Sequence, residues 1–134
     1  MINHELIHTL HQLSRRLTNK LNEALKPTGL YGSQWAVIFV LKNKGSLTQK
    51  ELSEYLAVEA PPMTRTIQRM VKQGYVKQIP GQDKREKRVQ LTDEAHAKYP
   101  EWEKIVIELN KSLLPKSHKE ELYQLQKSWL EQLY

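Results

Sequence analysis

The chain has 134 residues, with 21 Lys and Arg against 15 Asp and Glu and a formal net charge of +6. Its 39% hydrophobic and 27% charged residues suit one small, soluble, folded domain and argue against disorder. Cysteine is absent, which excludes disulfides, thiolate metal sites, cysteine nucleophiles and thiol-based redox sensing, and the longest apolar run, Trp35 to Leu41, is far short of the roughly 20 residues of a membrane span.

The N-terminus has no apolar signal core, because His4, Glu5, His8, His11 and Gln12 interrupt it, so a cytoplasmic location is expected. In the first segment Leu6, Leu10, Leu13, Leu17 and Leu21 recur at helical steps, a stripe narrow enough to be a helix–helix seam. Pro27 and Gly29 end it. A long helix with a leucine seam at a chain end needs a partner, and dimerisation is the favoured reading.

The run Trp35–Leu41 could be a buried strand by periodicity alone, but the cap signal at Ser33 predicts a second, core helix, closed by Gly45. Thr48-Gln49-Lys50-Glu51 reads as a capping box opening a short helix with Leu52 and Leu56 inward. A turn with Pro61-Pro62 follows, then a helix to about Gln73 that stops at Gly74. Beyond Gly74 the apolar period falls to two, predicting a two-stranded hairpin with a long basic tip over 80–87 and Val89 and Leu91 on the returning strand. Thr92-Asp93-Glu94 caps another helix, which Pro100 is expected to kink or interrupt and which ends at Pro115. A second capping box, Ser117 to Glu120, leads a terminal helix whose Leu122, Leu125, Trp129 and Leu133 form a second seam.

Charge is unevenly spread along this order. Residues 1–30 are net +2, residues 31–91 net +6 and residues 92–134 net −2. A basic middle between less charged ends points to a polyanion partner, nucleic acid above all. The helix before Gly74 is arranged for that role. At 100° per residue Ala60, Met63, Ile67, Met70 and Val71 cluster on one side, leaving Pro61, Arg65, Gln68, Arg69 and Lys72 on the other. Arg forks onto guanine and Gln onto adenine in a major groove, and Lys72, near the helix end, suits a phosphate. The hairpin tip supplies Lys84, Arg85, Lys87 and Arg88; an Arg on a thin wing can enter a narrow minor groove. Asp83 is expected to orient Arg85 or cap the turn.

Helix, short helix, turn, helix and basic hairpin is the order of a winged helix-turn-helix. The segment resembles the multiple-antibiotic-resistance regulator (MarR) family of bacterial transcription factors. The matching stretches are Leu47-Thr48-Gln49-Lys50-Glu51-Leu52, Met63-Thr64-Arg65, Gly74-Tyr75-Val76 and, most specifically, Asp83-Lys84-Arg85 followed by Val89-Gln90-Leu91-Thr92, similar to the wing signature D-x-R-x₃-V-x-L-T. The resemblance implies a mainly α fold with a small β wing: residues 30–99 form the DNA-binding region, and 1–29 with 100–134 the helical dimerisation region. It also implies a homodimer on a pseudopalindromic double-stranded operator, with Thr64 among the DNA-facing residues, and repression relieved by a small aromatic or phenolic ligand. Three departures stand out: Glu59 and Ala60 where a Ser or Asp cap is common, Pro61-Pro62 lacking two amide donors, and no cysteine for peroxide sensing.

Other constellations are weaker. His4, His8 and His11 share one side of the first helix, but without a nearby acid on that stripe a metal site is not expected, nor is any cofactor. Tyr31 and Trp35 fit core positions better than an effector pocket. No Ser-His-Asp order, phosphate-cradling glycine loop or carboxylate pair is present, which argues against an enzyme. The alternative from another class is a winged-helix adaptor whose basic face binds an acidic protein.

Overall fold

The computed structural model describes residues 1–83 and 85–134. Helix α1 (Ile2–Leu25) runs into a single 3₁₀ turn (Lys26–Thr28) that Gly29 closes in the left-handed region, as Pro27 and Gly29 lead one to expect. Helix α2 (Gly32–Lys44) follows, then a short strand β1 (Leu47–Thr48), α3 (Gln49–Leu56) and α4 (Ala60–Gln73). Strands β2 (Val76–Pro80) and β3 (Lys87–Leu91) form the wing, and α5 (Asp93–Leu113) and α6 (Lys119–Gln132) complete the chain. Among the described residues no helix is long and apolar enough to cross a membrane.

Most boundaries follow from local chemistry. Thr48 Oγ1 accepts from the Glu51 amide at 3.1 Å while Glu51 Oε1 accepts from the Thr48 amide at 3.0 Å, so the expected capping box forms. Thr92 caps α5 by accepting from the Ala95 amide. Gly74 ends α4 at φ 84°, a conformation that costs a residue with a Cβ, and a Cβ there would also lie 2.9 Å from Glu94.

Four expectations are corrected. Helix α2 starts at Gly32, so Ser33 lies inside it; the Gly32 amide instead donates to Asn22 Oδ1 at 2.6 Å, a contact that pins α2 to α1. The sheet has three strands in the order β1-β3-β2, because β1 pairs antiparallel with β3 (Leu47 opposite Val89, Thr48 opposite Arg88). Two residues are too few to show a period of two. Helix α5 passes through Pro100 without interruption; Pro100 is exposed, on the side of the helix where losing one backbone donor costs least. Helix α6 begins one residue later than Ser117 would set it, after His118 in the left-handed region, and its first turn is tied by His118 Nδ1 to Glu121 Oε2 at 2.7 Å.

Every buried apolar side chain among the described residues lies between Leu25 and Val106. Helix α2 supplies Trp35, Val37, Ile38, Val40 and Leu41; α4 supplies Met63, Ile67 and Met70; the sheet adds Val76, Val89 and Leu91; and α5 adds Tyr99, Trp102 and Val106. The core thus runs beyond residue 99 into the middle of α5. Leu52 is fully buried and Leu56 packs against the same cluster half-buried, as expected of α3.

Candidate nucleic-acid interface

Helix α4 is held by one face and presents the other. Met63, Ile67 and Met70 are almost completely buried against the core, whereas Ala60 and Val71, expected on the same face, are exposed. Ala60 is the first residue of the helix and is exposed there. Val71 sits 100° around from Met70, beyond the edge of the docked stripe. The opposite face carries Pro61, Arg65, Gln68, Arg69 and Lys72, all exposed, with Thr64 half-buried beside them. No acidic residue occurs within α4. An amide, two guanidiniums and an ammonium therefore share one helix surface.

Two of these side chains have partners within the chain. Thr64 Oγ1 accepts from Gln49 Nε2 at 2.6 Å, which couples the start of α3 to α4. The Arg69 guanidinium lies 5.5 Å from the centroid of the Tyr31 ring, a cation–π contact between α4 and the residue preceding α2.

The wing lies beside α3. Pro80 faces Lys87 in the β2–β3 ladder, and beyond them Asp83 Oδ1 accepts from the Arg85 amide at 3.1 Å, so Asp83 caps the turn. Arg85 and Lys87 are exposed; Lys84 lies outside the described residues. Arg88 points the other way. Its guanidinium donates to the Ser46 carbonyl at 2.6 Å and to Ser46 Oγ at 3.2 Å, and lies 3.9 Å from Glu51 Oε1. Charge alone groups Arg88 with its neighbours, whereas the pairing of Thr48 with Arg88 turns it onto the loop before β1. Hydrogen bonds from the Thr48 backbone and hydroxyl, followed by the charge of Arg88, hold the Glu51 carboxyl below its ordinary value.

The remaining sites fall on the terminal helices and at the start of α2. Leu6, Leu10, Leu13 and Leu17 on α1, and Leu122, Leu125, Trp129 and Leu133 on α6, are all exposed in the isolated chain. His4, His8 and His11 are exposed along α1. Trp35 is a core residue, its ring stacked on Tyr99 at 5.6 Å; burial, with help from Glu103, pushes the Tyr99 hydroxyl up to about 12. Tyr31 is exposed instead and lines a hollow of about 380 Å³ with Asn22, Glu23, Lys26 and Leu30, against its expected core placement. Its amide donates to Gln34 Oε1 at 3.1 Å, and Gln34, buried at 1% exposure, is a polar core residue that the apolar pattern of α2 concealed.

Residues 28–86 match the sequence profile described as MarR family. The chain is 47% identical over 113 residues to an uncharacterized HTH-type transcriptional regulator of Bacillus subtilis, YwoH, a match covering 84% of this chain and 82% of that protein. Its fold is similar to a crystal structure of a mutant MarR from Escherichia coli complexed with operator DNA, with a TM-score of 0.82 at 26% identity over 97% of this chain and 94% of that one. A MarR-like transcription regulator from Bacillus cereus gives the same TM-score, 0.82, at 26% identity over 100% of this chain and 99% of the other.

Proposed function

The chain belongs to the MarR family of helix-turn-helix transcriptional regulators, and from that membership we propose that it acts in the cytoplasm as a homodimer that reads a pseudopalindromic duplex. The observation that carries this reading is the division of α4 into a buried Met63–Ile67–Met70 face and an outward face of Arg65, Gln68, Arg69 and Lys72, set beside a basic wing. A helix docked in this way enters a major groove with Arg65 and Gln68 at base edges, while Lys72 and Lys87 meet phosphates. Arg85 at the wing tip reaches the flanking minor groove and senses its width rather than a base code. The exposed seams of α1 and α6 meet their copies on a second chain, which sets two α4 helices about one helical turn apart.

Regulation follows from the junction at Tyr31. A small aromatic or phenolic ligand in the hollow beside Tyr31 competes for the ring that holds Arg69, and so couples ligand binding to the reading face. The proposal is tested by selecting binding sites for the full chain from a random duplex pool. A two-fold symmetric motif with half-sites about 10 bp apart is expected. Failure to enrich any sequence, together with retention of the chain on an acidic protein surface, would favour the adaptor.

A further inference from the structure

The cleft between the N-terminus of α3 and the wing holds three cations that no single element of the fold explains. It has a volume of about 300 Å³, and its walls include Lys50 from α3, Gln78 from β2, and Arg85, Glu86 and Lys87 from the wing. Among those lining residues Glu86 is the one acid, and the Glu51 carboxylate adjoins the cleft at the Thr48 amide. We propose that this cleft is a seat for one phosphate of the DNA backbone, gripped from both sides, and that Lys50 and Gln78 belong to the interface although neither lies on α4 or at the wing tip.

This rests on the DNA-binding reading above and adds to it two residues and a shared target. Three features make the cleft suitable. The Gln49 and Lys50 amides at the start of α3 have no acceptor within their own helix, whereas the Glu51 amide is taken by Thr48 Oγ1. The charges come from separate elements, so an anion between them is held more tightly than on a flat lysine surface. The walls are also fixed in advance. Arg88 spends its guanidinium on Ser46 and Glu51, and the β1–β3 pairing carries that anchor to the wing, so the distance from α3 to Lys87 is set before DNA arrives. Arg88 acts on the seat through this anchor and leaves the phosphate to Lys50 and Lys87.

The test combines phosphate-ethylation interference with the salt dependence of binding, using the full chain and its selected operator. Lys50 is exposed, so Lys50→Ala leaves the core intact. Ethylating one phosphate in each half-site should block the unmodified protein. Lys50→Ala and Lys87→Ala should each erase interference at that same phosphate. The double variant should flatten the log affinity against log salt slope by about 1.8 for the dimer, at about 0.9 per phosphate. Lys127→Ala, on α6, should change neither readout. An unaltered pattern and slope for Lys50→Ala, or loss at a different phosphate from that of Lys87→Ala, overturns the shared seat. An unmodified protein that binds no duplex overturns the DNA-binding reading, and the seat falls with it.

Discussion

Helices α4 and α1 are both amphipathic, yet they dispose of their apolar faces in opposite ways. On α4, Met63, Ile67 and Met70 are 2% exposed or less, and what remains outside is polar and positive. On α1, Leu6, Leu10, Leu13 and Leu17 remain 41–54% exposed, with Leu122, Leu125, Trp129 and Leu133 of α6 in the same condition. The residues between Leu25 and Val106 thus complete a core from one chain, while the ends do not. An exposed apolar stripe of this length is the surface proposed above to meet a second copy of the chain. The middle offers charge to the proposed duplex and the ends offer apolar surface to the proposed second copy, which are two kinds of recognition.

Breaking the apolar half should have the largest effect. Replacing Leu13 and Leu17 together by Glu places four charges in the proposed two-fold seam, and sedimentation should report monomer where the unmodified chain is expected to give dimer. Operator affinity should fall about 10²–10⁴-fold, because each α4 then binds without its linked copy. Unchanged mass and affinity would assign the seam another role.

The core half responds to a different kind of change. Ile67→Ala removes buried methyls beneath the reading face and should cost about 2–5 kcal/mol in urea unfolding. A loss under about 1 kcal/mol would mean that α4 is not clamped as described.

A smaller effect separates reading from folding. Arg65→Ala should leave stability unchanged, cost about 1–3 kcal/mol on the selected operator and relax preference at one position in each half-site. Arg85→Ala should weaken binding most where the flanks are A·T-rich and keep the central motif. A variant pair with these outcomes exchanged would reverse the roles of helix and wing.

The smallest change concerns the cap that begins α3. Thr48→Ala should cost about 1 kcal/mol near neutral pH. Because the Glu51 carboxyl is held below its ordinary 4.5, its contribution is complete above that value and is lost as the pH falls through the lowered one. The Thr48 amide, the first cause of that lowering, survives in Thr48→Ala. The difference between Glu51→Ala and the unmodified chain is therefore the one that should shrink in strong acid, which urea midpoints at neutral and acid pH will show.

Legibility in the sequence followed the range of the forces involved. The Thr48 box, the Thr92 cap and the stops at Gly29, Gly45 and Gly74 are set by residues within one helical turn, and all appear where the pattern placed them. Strand β1 leaves no mark in the sequence, because two residues show no period and its pairing partners, Val89 and Arg88, lie some 40 residues away. The same pairing decides where Arg88 points, which charge counting cannot. The start of α2 was misplaced at Ser33 because the relevant donor and acceptor, Gly32 and Asn22, sit on different helices. For the interface, the polar side of α4 was readable by rotation alone, but the link from Arg69 to Tyr31 and the gathering of Lys50 with the wing depend on tertiary packing.

The central claim, two kinds of recognition on one chain, meets its most direct test in the mass of the protein–DNA complex. Light scattering on the full chain with a duplex carrying its selected operator should give two chains per duplex, and a duplex cut to one half-site should bind far more weakly. One chain per duplex at full affinity, or equal affinity for the half-site, would contradict the account.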